Sequence, residues 1–320
     1  MKAILSYIRD FFYRVDKWLL CCCALFAAVL IVCNYYFGVE TKWLYGLARG
    51  WPRFAGFFAL YSIAFIIPWL LLLWRVGRRE SGVGRIGSRL LTPDSRLFWV
   101  LLIIAPAIFA LKVSFPGLSG LLLNRLQVPW GRYYTIVSSL PSRLVLVAVP
   151  LALLRWWLQP GESFWGLTTR NFQWKPYALM LLIMVPLIAF ASTQNDFLAA
   201  YPKLRQVAFI EPWVQRSWPY KLLFEISYGL DFVTIELFFR GFLVFAFVRW
   251  AGPDAIVPMA VFYCSIHFGK PLFECISSFF GGILLGVVSY RTRSILGGFM
   301  VHVGIAWMME LGGYIGTARH

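Results

Sequence analysis

The chain is 320 residues long, 60% of them hydrophobic, 18% aromatic and only 14% charged, with a formal net charge of +16. So few charged residues cannot cover a soluble surface, which excludes a water-soluble globular domain and leaves a multi-spanning membrane protein. The basic excess is spread through loops with no soluble module to present it, so it indicates anchoring at a membrane surface and no nucleic-acid partner.

Lys2, Arg9, Arg14 and Lys17 precede the first apolar run, 18–37. That run lacks a small-residue cleavage signal and carries "CNYYFG" at its end, so it reads as an uncleaved first span and not as a signal peptide. Cys21, Cys22 and Cys23 sit at its entrance, and Cys33, Cys264 and Cys275 are scattered through apolar sequence. Without zinc spacing, all six read as small apolar fillers.

Further runs follow at 54–76, 97–112, 134–154 and 176–193, then at 221–248, 253–268, 272–290 and 294–314, giving about nine spans with about eight as the alternative. Run 97–112 is short and interrupted by Pro106, and 253–268 is also short. Helices are the spanning element, because lipid offers the backbone no partners and the alternation of a barrel is absent. The expected fold is therefore all-α, a polytopic transmembrane helical bundle. Arg75, Arg78, Arg79, Arg85, Arg89 and Arg96 lie between the second and third spans, which puts that loop and the N-terminus in the cytoplasm. Segments 113–132 and 195–219 mix Trp, Tyr, Pro and charge with short apolar runs, the character of interfacial or re-entrant segments.

Ionisable groups inside a membrane cost at least roughly 2.5 kcal/mol each at a span centre unless paired or wet, so their distribution points to function. The first five spans hold Arg143 alone in their mid-regions, whereas the last four hold Glu225, Asp231, Glu236, Arg240, His267, Glu274, His302 and Glu310. Glu236 and Arg240 stand four apart, as a helical ion pair does. In "HFGKPLFE", Gly269 and Pro271 break the helix past His267 and bring Lys270 and Glu274 to a turn beside it. Imidazoles near carboxylates suit general acid/base work. A metal held by Glu236, His267 and His302 is the alternative. Asp231 and Glu310 read more simply as polar contacts between helices, and the Gly282–Gly286 spacing as helix packing.

On these residues the chain resembles the CAAX prenyl protease and bacteriocin-processing intramembrane endopeptidases, the CPBP or ABI family. Its marks are Glu-Glu-x-x-x-Arg, then Phe-x-x-x-His, then His-x-x-x-Asn or Asp. "IELFFRGFL" is similar to the first, "FYCSIHFGK" to the second and "HVGIA" to the third, within residues 220–314. Ile235 stands where the family has its first glutamate, Tyr263 where it has Phe, and Ala306 where it has Asn or Asp.

The resemblance implies a four-helix CPBP-like core over 220–320 behind N-terminal scaffold spans and interfacial loops over 1–219. It implies an endopeptidase without a cofactor, cleaving peptide or prenylated-peptide substrates in a cavity of the membrane, with Glu236, Arg240, His267 and His302 as catalytic residues; Glu274 joins them as a candidate from its place near His267, outside the family's motifs. Glu236 or Glu274 would activate water and the histidines would hold the oxyanion. The expected partners are membrane lipid, such a substrate and a membrane protein; the expected location is a bacterial cell membrane. The alternative is a membrane scaffold or assembly partner that has lost hydrolysis with its first glutamate and final Asn or Asp.

Overall fold

The computed structural model describes residues 2–79, 95–115, 125–158, 163–170 and 172–318. Those residues form helices and no strand, so the backbone satisfies its own hydrogen bonds as lipid requires. Among them, in chain order, are α1 (Lys2–Arg14), α2 (Lys17–Phe37), α3 (Trp51–Arg79), α4 (Ser95–Ser114), α5 (Trp130–Leu158) and α6 (Trp174–Ala191). Then come α7 (Asn195–Ala200), α8 (Trp218–Glu236), α9 (Val244–Ala251), α10 (Ile256–Ser265), α11 (Leu272–Thr292) and α12 (Leu296–Ala318). Two π-helical turns interrupt the series, Val39–Leu44 after α2 and Leu237–Leu243 between α8 and α9.

Among the described residues, six helices are long and apolar enough to cross a membrane: 17–37, 51–77, 96–114, 130–157, 174–191 and 272–292. The chain is an integral, multi-pass membrane protein. Pro106 does not break α4, which runs unbroken for 20 residues, since a proline is tolerated where its surroundings satisfy the freed carbonyl. Two of the other segments read as spans differ from that expectation: the 221–248 stretch is two α-helices around a π-helical turn, and 253–268 keeps only the ten residues of α10, while 294–314 falls on the continuous helix α12 from Leu296 onward. Segment 195–219 folds into α7 and a 3-10 helix, Lys203–Trp213. Arg85 and Arg89 of the basic loop, and 116–124 of the other interfacial segment, lie outside the described residues.

The chain divides into two compact units. One comprises 1–115, 165–167 and 238–294, and the other 116–164, 168–237 and 295–320. In the first, α10 is the hub: all ten of its residues are buried, and it packs against α2, α3 and α11. Aromatic rings fill the contact, with Phe262 of α10 at 5.5 Å from Phe65 and 5.2 Å from Phe239. Gly282 and Gly286 of α11 face α10: a Cβ at Gly286 would stand 2.7 Å from Met259 and 2.8 Å from Ile256, so the small pair sets how closely the helices approach. The entry of α2 is fixed by Asp16, whose carboxylate accepts from the N–H groups of Trp18 and Leu19 at 2.9 and 3.2 Å. Its exit is fixed by Gly38 at φ +66°, a left-handed cap that turns the chain into the first π-helical turn.

In the second unit, α8 packs on α5, and α12 on α6 and α8. Tyr133, Val137, Val207, Ile210 and Phe224 form one buried cluster there. The Tyr133 hydroxyl donates to the Tyr220 carbonyl at 2.8 Å. Glu310 of α12 accepts from the Lys203 and Leu204 N–H groups at 2.7 and 3.0 Å, capping the 3-10 helix.

Candidate functional site

In the second unit, Glu236 ends α8 with none of its surface exposed, and His302 lies one turn and a half into α12. His302 Nδ1 stands 2.9 Å from Glu236 Oε1. Two helices meet here because α12 offers glycine at the point of contact: a Cβ on Gly298 would collide with Glu236 Oε2. The same helix clears Tyr177 and Leu181 of α6 through Gly297 and Gly304. Phe232, one turn before Glu236, covers the imidazole at 4.8 Å between ring centroids. A carboxylate that accepts from Nδ1–H fixes the tautomer and leaves Nε2 as the basic nitrogen. The side chain of His302 is 14% exposed and that of Glu236 is not, so the imidazole is the accessible member of the pair. Glu310, expected to be a polar contact between helices, accepts the two backbone N–H groups given above and meets the carboxyl of Glu225.

In the first unit, Arg240 sits in the second π-helical turn, fully buried, with its guanidinium 3.9 Å above the ring of Tyr263. Such stacking stabilises a cation where water is excluded. Tyr263 meets His267 edge to face at 4.6 Å, and His267 Nδ1–H donates to the Tyr263 carbonyl at 2.9 Å. Tyr263 therefore contacts both the arginine, over its ring, and the histidine, edge to face. The α-helix stops at Glu236 and the π-helical register begins at Leu237. Such turns are rare and frequent at functional sites.

His267 lies just beyond α10, which ends at Ser265. A tight turn follows, with the His267 N–H donating to Cys264 and the Lys270 N–H to His267, both at 3.0 Å. Pro271 then caps α11, and Lys270 Nζ pairs with Glu274 Oε1 at 3.3 Å.

The end of α2 and the turn after it reach this loop with residues that sequence reasoning passed over. Asn34 Nδ2 donates to the Phe268 carbonyl at 2.9 Å, while its Oδ1 accepts the Glu40 N–H at 3.0 Å. The Tyr35 hydroxyl donates to the Lys270 carbonyl. The Gly269 N–H donates to the carboxyl of Glu40, which is 6% exposed. Burial pushes the Glu40 carboxyl up to about 8, against the pull of Lys270 and of that N–H. The available signal was that Glu40 is the only acidic residue between Asp16 and Glu80.

The predicted site residues thus fall into two groups: Glu236 with His302 in one unit, and Arg240, His267 and Glu274 in the other. The Glu236, His267 and His302 set named for a metal is divided between the units. Among the described residues, no three His, Cys, Asp or Glu side chains gather as a metal site requires.

Residues 216–308 match the family model of type II CAAX prenyl endopeptidase Rce1-like proteins. No curated protein and no solved structure matches the chain.

Proposed function

The segment 216–308 is of the Rce1-like CAAX prenyl protease family, and from that premise we propose that the chain is an intramembrane endopeptidase of prenylated CAAX-type peptides. The observation that carries the reading is the 2.9 Å contact between a fully buried Glu236 and the more accessible His302. His302 Nε2 takes a proton from water as the water oxygen adds to the scissile carbonyl carbon, whose π pair moves to the carbonyl oxygen. Glu236 stabilises the imidazolium formed. When the tetrahedral adduct collapses, the C–N bond breaks and the imidazolium gives its proton to the leaving amine, so one water is consumed for one acid and one amine. Arg240, His267 and Glu274 enter the proposal as further catalytic groups of the matched segment, His267 as a donor to the developing oxyanion. The bacteriocin-processing branch of the resemblance supports a bacterial cell membrane as the setting.

The test is cleavage of an internally quenched farnesylated CAAX peptide by the purified full chain in micelles. His302→Ala and Glu236→Gln should each lower kcat by roughly 10²–10⁴-fold with a near-normal melting temperature. A second reading, a scaffold without hydrolysis, is favoured by one observation: Ile235 and Ala306, where the family has a carboxylate and an amide or carboxylate, are both buried apolar residues. Wild type that leaves the peptide intact, together with a His302→Ala chain that supports full cellular function, selects that reading.

A further inference from the structure

His267 stands past the last residue of α10, where helical hydrogen bonds do not fix a side chain's direction. The three residues that follow it are each held from one place. Asn34 takes the Phe268 carbonyl, Glu40 the Gly269 N–H and Tyr35 the Lys270 carbonyl, all from the end of α2 and the π-helical turn behind it. Asn34 also ties the Glu40 backbone to itself through its Oδ1, so the three side chains form one assembly.

We propose that Asn34, Tyr35 and Glu40 are positioning residues for His267, a three-point clamp on the loop that carries it. The proposal rests on the endopeptidase reading, which gives His267 its role. A purely structural carboxyl would have both oxygens bonded, yet Glu40 Oε2 is buried without a hydrogen-bond partner among the described residues. Gly269 is the residue that allows this approach, since a Cβ there would stand 3.0 Å from Glu40 Oε1. The titratable and charged groups facing Glu40 are Lys270 of the loop, Tyr35 of α2, Tyr61 of α3 and Cys275 of α11. Glu274 stands next in line as the partner of Lys270.

At neutral pH the clamp therefore works with Glu40 uncharged, and Lys270 stays with Glu274. As pH passes about 8 the carboxyl ionises, competes with Glu274 for Lys270 and disturbs the loop. Because the clamp holds the loop that carries the histidine and not the substrate, its loss acts on kcat and leaves KM alone.

The experiment uses the full chain in micelles with the quenched farnesylated peptide. Glu40→Leu and Asn34→Leu should lower kcat by about tenfold or more with KM within about twofold, as expected of a displaced catalytic group. Glu40→Gln keeps an acceptor for the Gly269 N–H, so it should match wild type at pH 7 and lack the fall in kcat that wild type shows above about pH 8. If Glu40→Leu does not fold, Tyr35→Phe, which removes one hydroxyl, carries the test with the same expected loss of kcat. Wild-type kcat in Asn34→Leu and Tyr35→Phe, or an alkaline fall that persists in Glu40→Gln, overturns the clamp. His267→Ala separates the two readings: an inactive His267→Ala beside normal clamp variants overturns the clamp alone, while full cleavage by His267→Ala removes the role of His267 and the clamp with it.

Discussion

His302 and His267 are held in opposite ways. His302 lies inside a long helix, and its carboxylate partner comes from the end of another helix in the same unit. His267 lies on a loop, and what fixes that loop comes from side chains about 230 residues earlier in the chain. The first arrangement asks little of the sequence beyond a glycine opposite the carboxylate. The second needs an asparagine, a tyrosine, a glutamate and a glycine that have no local reason to be where they are. A motif built on helices is written compactly, and one built on a loop is written across the chain.

The largest effect that sharpens this contrast is expected at Gly298. Gly298→Val drives a side chain into Glu236 and should lower cleavage by about 100-fold, as a displacement of about 1 Å at a reacting pair does. Gly286→Val, an equally tight glycine facing Met259 and Ile256, should lower the melting temperature while the folded fraction keeps its kcat. Equal loss of kcat in both variants would break the distinction between the pair and ordinary helix packing.

An intermediate effect is expected from Glu40. Its folded carboxyl titrates near 8 and its unfolded one near 4.5, so the folded chain binds the extra proton between those values. The stability this contributes is complete below about pH 4.5 and is lost as pH rises through about 8. Glu40→Gln should flatten that decline by an amount on the order of 1–3 kcal/mol, read from melts in micelles between pH 5 and pH 9. An unchanged slope would mean that water reaches the carboxyl. The smallest effect is expected from Gly269→Ala, which presses on Glu40 Oε1 from 3.0 Å and should cost about 1 kcal/mol in the same melts.

The sequence alone carried the apolar helices well, because an unbroken run near 20 residues leaves lipid few alternatives. The segments 17–37 and 272–292 fall within a residue or two of where hydropathy puts them. It failed where composition is silent about register: "LFFRGFL" is apolar in an α-turn and in a π-turn alike, so the change at Leu237 was invisible. Glu236 and His302 were legible because an ionisable group in an apolar run stands out. Glu40 was not, since it falls in a connection between two runs, where a carboxylate is ordinary, and only the fold shows that this carboxyl is buried. Tyr263 stands where the family has phenylalanine, and its contacts with Arg240 and His267 appear only once α10 and the π-helical turn are brought together.

The Glu310 carboxylate, which takes two backbone N–H groups at Lys203 and Leu204, ties the last third of α12 to a stretch 107 and 106 residues upstream. Lys203 and Arg205 are both sites a trypsin-like protease would accept, and both lie on the capped 3-10 helix. Glu310→Ala should therefore be read out far from itself, as new cuts after residues 203 and 205 in limited digestion, with the rest of the digestion pattern unchanged. The far end of the chain acts as a latch on its middle, and protease access to that middle reports whether the latch is shut.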